Sequence, residues 1–277
     1  MSALPQYEVY AVRYATVKRR RSENFISGDL HDGPMPMDYF VWVVRDAHRV
    51  WLVDTGFNEQ AAAQRAREFL RCPITALSSL GISPEQVSDV ILTHLHYDHA
   101  GNVDRLPNAF LHVQEAEVHY AVGRHMCFGL LRHPYSVNDV LEVVRGVHAD
   151  RVRFYDGDAQ LAPGLQLVRV GGHTQGLQAV RVHTARGWLV LASDASHFYD
   201  NVSNESPFPI VFHVGEMLEG YRRLTALSDT FEHHFIPGHD PAVMRRFPLV
   251  DAPGNEIVAL HMAPVSDAPF TEGRDNP

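Results

Sequence analysis

The chain has 277 residues, 45% of them hydrophobic and 21% charged, with a formal net charge of −9. That mixture fits an ordinary soluble globular protein with one sizeable core or two thinner layers, and its acidity argues against a nucleic-acid-binding surface, which is normally basic. Only two cysteines occur, Cys72 and Cys127, so neither a disulfide framework nor a cysteine metal site is expected. Met1 to Tyr10 is polar and contains proline, and no apolar run approaches a membrane span. No signal peptide and no membrane partner are therefore expected, and the expected location is cytoplasmic.

Residues 7–14 alternate well enough for a strand. The basic run Lys18-Arg19-Arg20-Arg21 then suits a nucleic-acid or anionic-substrate contact or a solvated loop, and the acidic whole favours the loop. His31 to Asp38 is rich in turn residues. The unbroken apolar run at 39–44 predicts a buried strand, with 49–53 as its hairpin partner across Asp46-Ala47-His48. Asp54-Thr55-Gly56 closes that hairpin and places an aspartate where it can orient a neighbouring ligand by hydrogen bonding. Residues 58–71, rich in Ala, Arg and Glu, read as an amphipathic helix. Ser83-Pro84-Glu85-Gln86 carries an N-cap serine, a proline at the first helical position and a glutamine three residues after the cap.

A buried strand at 88–93 leads into His94-Leu95-His96-Tyr97-Asp98-His99, followed by Ala100-Gly101-Asn102, where the chain can turn tightly. Three imidazoles and a carboxylate within six residues cannot all address one tetrahedral ion, but alternate residues can serve two ions side by side. Imidazole nitrogen with carboxylate oxygen suits zinc, and also iron, manganese or cobalt. A strand at 109–113 and a helix from Gln114 to Ala121 continue an α/β alternation. Residues 122–150 break it: Met126, Phe128, Leu130, Leu131 and Tyr135 precede a helical stretch at 137–145. That apolar cluster suits a lid insertion, a dimer surface or a satellite core.

The next strand, 165–170, ends at Gly171-Gly172-His173-Thr174-Gln175-Gly176, where glycines let the backbone approach an ion. A hairpin of 177–183 and 188–192 ends at Ser193-Asp194-Ala195-Ser196. An aspartate at the tip of an apolar strand is costly unless something charged meets it, and a carboxylate bridging two divalent metals would satisfy that need. Ser193 and Ser196 read as strand-end packing rather than nucleophiles. A helix at 215–229 and a strand at 234–237 follow, ending at Gly238-His239-Asp240. Residues 251–277 read as a loose tail or a subunit-contact arm.

The motif HxHxDH at a strand end, with the downstream His173, Asp194 and His239, resembles the metallo-β-lactamase superfamily of hydrolases over about 190 residues from Asp54 to Asp240. The resemblance implies a four-layer αββα sandwich, an α/β fold forming a single domain over 1–250. It implies one metal at His94, His96 and His173, a second at Asp98, His99 and His239, and Asp194 with a hydroxide bridging them. Two divalent ions about 3.5–4 Å apart, zinc first among them, lower the pKa of the bridging water. Asp98 can then take the proton and hand it to the leaving group, without a covalent enzyme intermediate.

Ser193-Asp194-Ala195-Ser196-His197 and Gly238-His239-Asp240 resemble the quorum-quenching N-acyl homoserine lactonase branch more than the glyoxalase II type of thioester hydrolase, which has Gly-Asp-Thr-Leu-Phe around the bridging aspartate. The lactonases usually carry a tyrosine three residues after that aspartate, against the substrate carbonyl oxygen. Here the position is His197, with Tyr199 the nearest tyrosine. His197 could donate a hydrogen bond in its place, or mark a different substrate. The implied activity is opening of a small-molecule lactone; the alternatives are another ester, a thioester or a phosphotriester at the same site, or a non-catalytic metal-binding sensor. A homodimer is the implied assembly. Met35, Met37, Phe128 and Leu131 suit an acyl chain or ordinary packing.

Overall fold

In a computed structural model that describes residues 4–250 and 256–265, the apolar run at 39–44 is buried on both faces. Tyr39, Val41 and Val43 face one core, and Phe40, Trp42 and Val44 face the other. Side chains alternate along a strand, so an unbroken apolar run is stable only where both faces of the sheet are covered.

The first sheet contains β1 (Glu8–Val17), β2 (Met37–Arg45), β3 (Val50–Val53), β4 (Glu68–Phe69), β5 (Asp89–Ile91), β6 (Phe110–Gln114) and β7 (Val152–Tyr155). The second contains β8 (Ala159–Ala162), β9 (Leu165–Arg169), β10 (Gln178–Thr184), β11 (Gly187–Ser193) and β12 (Phe235–Pro237), and β13 (Ile257–Ala259) returns to the first. The strand orders are β13-β1-β2-β3-β5-β6-β7, with β4 beside β1, and β12-β11-β10-β9-β8. Strands β3, β5, β6 and β7 run parallel, as do β11 and β12.

One core joins Val9, Trp42 and Val53 of the first sheet to Leu167, Val180 and Leu191 of the second, so the sheets pack face to face. The other core lies between the first sheet and its helices, with Ala62, Ile74, Val140 and Val143 buried. Helices Val214–Leu227 and Ala242–Arg246 cover the second sheet through Leu224 and Val243. The layers are therefore helix, sheet, sheet, helix, the expected αββα sandwich. Among the described residues no helix is long and apolar enough to cross a membrane.

Three local expectations need correction. The helix expected at 58–71 spans only Glu59–Gln64; Ala66 then takes a left-handed φ of +52° and β4 pairs with β1. Burial of Phe69 against Phe57 and the first core overrides the helix propensity of the Ala-Arg run. The capping box at Ser83 forms, but caps a single 3₁₀ turn, Pro84–Gln86. The expected tail contains β13, whose Ile257, Val258 and Ala259 are buried against β1; 251–255 and 266–277 lie outside the described residues. Nothing in the sequence marks β7 and β8, because their half-exposed faces mix polar and apolar residues without clean alternation. Within 122–150, helix Val137–His148 buries Val140 and Val143, whereas Phe128 and Leu130 stay 61% and 87% exposed.

At the N-terminal end of β5, Asp89 accepts hydrogen bonds from Arg49 Nε and Nη2 at 2.8 and 2.9 Å, Ser88 Oγ at 2.6 Å and His112 Nε2 at 2.8 Å. Burial alone would raise this carboxyl, but the His112, Arg49 and Ser88 bonds hold it down at about 2. A depressed carboxylate pKa contributes stability above its unfolded value of roughly 3.9 and loses it as the pH falls toward the folded value. Asp89→Asn is predicted to cost about 2–3 kcal/mol at neutral pH. Urea titrations of both proteins between pH 7 and pH 3 should show the gap constant above about pH 5 and narrowing below about pH 4.

Candidate metal centre

The strands that point the same way end at one edge, and the polar motifs lie just beyond those ends. His94 follows β5, His173 follows β9, Asp194 follows β11 and His239 follows β12. His96 caps the single helical turn Tyr97–Ala100, which carries Asp98 and His99. Gly172 has a φ of +85°, and a Cβ there would lie 2.7 Å from Met217 N in helix Val214–Leu227, so only glycine lets the loop bring His173 inward. Together with His197, these residues are at most 7% exposed.

Asp194 divides the cluster in two. Its Oδ2 lies 3.1 Å from His173 Nε2 and 3.7 Å from His94 Nε2, and His96 Nδ1 is 3.0 Å from His173 Nε2. Its Oδ1 lies 3.0 Å from His239 Nε2 and 3.3 Å from His99 Nε2. Asp98 Oδ2 stands 3.7 Å from His99 Nε2 and 3.9 Å from His239 Nε2. Bonds of roughly 2.0–2.1 Å to a tetrahedral ion would set its donors roughly 3.3 Å apart, close to these separations. The structure thus gathers all seven expected ligands into the two expected groups, with Asp194 between them.

The surroundings fix which nitrogen faces inward. His239 Nδ1 donates to the Asp38 carbonyl at 2.8 Å, and a carbonyl can only accept, so Nε2 presents its lone pair. His99 Nδ1 donates to Asp54 Oδ2 at 2.7 Å, so its neutral ring likewise turns Nε2 inward, and against burial Asp194, Asp54 and Asp98 hold this imidazole well above the ordinary value. Asp54 has a φ of +62° and also accepts from Thr93 N and Thr93 Oγ1, both at 2.8 Å. It has the supporting position expected of it. Ser193 Oγ bonds Thr93 Oγ1 at 2.9 Å, and Ser196 Oγ donates to the Phe198 carbonyl at 2.8 Å, so both serines pack strand ends as expected.

Electrostatics and unmatched atoms test the fit to metal ions. Burial, reinforced by neighbouring imidazoles, pushes His94 and His96 well below the ordinary histidine value, leaving neutral rings with free lone pairs. Burial alone would raise the Asp194 carboxyl; the surrounding His197, His239, His99 and His173 hold it well below. His94 Nε2 and His99 Nε2 are buried without a hydrogen-bond partner, and such an orphan costs about 1–3 kcal/mol. Converging lone pairs and a central carboxylate are what divalent cations require, so the residues present fit two of them.

Sequence reading missed Glu117. This buried carboxylate accepts from Leu95 N at 2.9 Å, Gly176 N at 3.1 Å, Thr174 Oγ1 at 2.6 Å and Tyr135 OH at 3.0 Å. It ties the first motif to the His173 loop, and Tyr135 packs edge-on against His96 with ring centroids 4.6 Å apart. A Cβ at Gly176 would come within 2.1 Å of Glu117 N. The one sequence cue is the glycine after His173; nothing in the helix pattern marks Glu117.

Of the two candidates for the substrate contact, His197 lies at the cluster, with Nε2 3.2 Å from Asp194 Oδ2 and its ring stacked 3.8 Å from Phe208. Tyr199 is buried in the second core, edge-on to Phe231 and beneath the Arg246 guanidinium. Met37 is buried in the first core with Met35 against it, so ordinary packing accounts for both methionines. A surface groove of about 430 Å³ between 158–168 and 223–227 contains none of the cluster residues.

Residues 35–247 match the family model described as the metallo-beta-lactamase superfamily. The chain belongs to this superfamily. An N-acyl homoserine lactonase of Bacillus sp. is 32% identical over 136 residues, 49% of either chain. A probable metallo-hydrolase of Mycobacterium tuberculosis is 27% identical over 199 residues, 62% of this chain and 61% of that one. The chain therefore spans about half the length of the curated lactonases it matches. Among solved structures, a quorum-quenching N-acyl homoserine lactone lactonase gives a TM-score of 0.72 at 23% identity, covering 87% of this chain and 95% of that one. The dizinc quorum-quenching lactonase AidC gives 0.68 at 18% identity, covering 93% and 95%. These structural likenesses show the metallo-β-lactamase fold.

Because Asp54 fixes the His99 tautomer, Asp54→Asn is predicted to lower metal affinity about 10–100-fold. Competition with a chromogenic chelator reads that loss, and far-UV circular dichroism should be unchanged.

Proposed function

We propose that the protein is a dinuclear metal-dependent hydrolase that opens a lactone ring, with an N-acyl homoserine lactone or a related small lactone as substrate. The observation that carries this reading is the two-sided setting of Asp194, with His94, His96 and His173 around Oδ2 and His99, His239 and Asp98 around Oδ1. The lactonase relatives favour the lactone. Two divalent ions, zinc first, would supply Lewis acidity toward a carbonyl oxygen and an activated water at neutral pH.

The chain's own residues do the rest. The buried Asp98 carboxylate takes the proton released on attack and returns it to the departing ring oxygen, so one group acts as base and then acid. Tyr14 OH donates to the Asp98 carbonyl at 2.9 Å and fixes the turn that aims it. Thr93 and Asp54 hold His94 and His99, and Glu117 holds the His173 loop against the first motif.

His197 favours a second reading. Burial pushes its imidazole down to about 3, so it is neutral at working pH. Its Nε2–H then donates to Asp194, which leaves Nδ1 an acceptor where the lactonases have a tyrosine hydroxyl. A site that lacks that donor suits another ester, a thioester or a phosphotriester as well as a lactone. The complete donor set argues against a non-catalytic sensor.

Proton release by the metal-loaded protein tests these readings on lactones with short and long acyl chains, a thioester, an aryl ester and a phosphotriester. Lactones are expected to dominate, chelation to abolish turnover, and Asp98→Asn to lower kcat by about 10²–10⁴-fold. Inert lactones beside turnover of another ester would move the assignment to the second reading. Full metal loading with no turnover of any ester would leave the sensor.

A further inference from the structure

The basic run at 18–21 is not a uniform solvated loop. Arg20 pairs with Asp32 at 2.6 Å, and Arg21 pairs with Asp29 at 2.6 Å and Asp200 at 2.7 Å. Arg19 differs. It is half-buried, its Nε donates to Asn24 Oδ1 and its Nη2 to the Glu23 carbonyl, both at 2.7 Å. Among the described residues no carboxylate pairs with it, and its Nη1 has no partner. Its guanidinium lies 5.0 Å over the Phe208 ring, which stacks on His197, whose own ring is 5.0 Å from that of His239.

Strand β4 brings a second arginine to the same place. Glu68 pairs opposite Thr16, so Arg67 comes in beside the end of β1, from which the basic run departs. Arg67 is half-buried, with Nε donating to Tyr97 OH at 3.1 Å and Nη1 to the Arg65 carbonyl at 2.7 Å. Among the described residues its Nη2 has no hydrogen-bond partner and no carboxylate pairs with it. Its guanidinium stands 6.0 Å from the Tyr39 ring, which is 5.2 Å from the ring of His239. The two cations thus approach the metal cluster from two sides, one through Phe208 and His197, the other through Tyr39.

Two partly desolvated like charges repel. Burial pulls Arg19 below the usual arginine value, with Glu23 opposing that pull and Arg67 adding to it, whereas, against burial, Tyr39, Tyr97 and Asp98 hold Arg67 above its usual value. Among the described residues neither guanidinium has a carboxylate in contact, so each keeps an N–H edge for a counter-charge arriving from outside. A guanidinium with a free N–H edge matches a carboxylate in geometry as well as charge. We propose that Arg19 and Arg67 form an anion-recognition pair beside the metal centre, and that the substrate carries a carboxylate on the arm remote from its scissile bond. The inference rests on the hydrolase reading of the site but not on which ester bond is cut.

The test therefore separates binding from chemistry. Two γ-lactams, one with a carboxylate arm and one with the matching primary amide, keep the ring and arm of a lactone but lack the ester. Calorimetry on the metal-loaded protein at low salt is expected to find the carboxylate bound at least about tenfold more tightly than the amide. The preference should shrink in high salt and fall to within about twofold in Arg19→Met and in Arg67→Met. Two variants are needed because Arg67 also holds Tyr97. Equal, or equally undetectable, binding of the two lactams overturns the proposal, as does a preference that survives both substitutions. The corresponding lactones are assayed in parallel. Inert lactones with tight carboxylate-lactam binding would sink the lactonase reading and leave the arginine pair standing. Brisk turnover of both lactones with equal KM would do the reverse.

Discussion

Buried negative charge is the constraint on which this structure turns. Asp54, Asp98 and Asp194 lie together out of solvent, and among the described residues none forms an ion pair with lysine or arginine. Their partners are imidazoles: burial drives His94 and His96 toward neutrality, whereas, against burial, the carboxylates hold His99 and His239 above the ordinary histidine value. An uncompensated carboxylate in such surroundings costs several kcal/mol. Two divalent cations would bring four positive charges against three negative ones. The same ions would give the unmatched His94 Nε2 and His99 Nε2 a partner. Folding and metal binding are then linked, because a preformed donor set exists only in the folded chain.

Two of the five non-glycine residues with left-handed φ among the described residues stand at the same edge. Asp54 and Ser193 are non-glycine residues with left-handed φ, each at a strand end beside a ligand, and Gly171 and Gly172 are left-handed just before His173. Sparsely populated conformations of this kind cost about 1–3 kcal/mol each and persist only where the surroundings over-determine them. Here the surroundings are a hydrogen-bond network: Asp54 on Thr93 and His99, Thr93 on Ser193, and Glu117 across two loops. The network ties both sheets together at the edge where the ligands meet. Placement of His173 and Asp194 is thus a property of the sandwich and not of either sheet alone.

The candidate ligands were legible as a cluster because their chemistry is local in the chain. His94 to His99 needs only a strand before it and a turn after it, and each of the others stands at the end of an apolar run beside a glycine or a serine. The two-faced burial of β2 was legible for a similar reason, since a strand with no polar face has to lie between two covering layers. Residues whose role depends on distant contacts were not legible. Glu117 looks like any acidic residue in the first turn of a helix, until the His173 loop arrives to give it donors. The run at 58–71 has helix composition throughout, and only the burial of Phe69 shows that its second half leaves the helix. That change of element is also what delivers Arg67 to the end of β1.

The acidity of the whole chain and the cationic character proposed for one part of its site are compatible. A net charge of −9 spread over the surface is screened beyond roughly 8–10 Å at physiological ionic strength. It disfavours an extended polyanion, which must lie along that surface, but has little hold on a small carboxylate already beside two guanidiniums. The proposed lactone hydrolysis would add a further demand. Ring opening converts a neutral ester into a carboxylate, so positive charge at the scissile bond would hold product more tightly than substrate. Arg19 and Arg67 stand one or two rings removed from His239. From there they would act on a charge present before and after the reaction, strengthening substrate and product alike rather than favouring product over substrate.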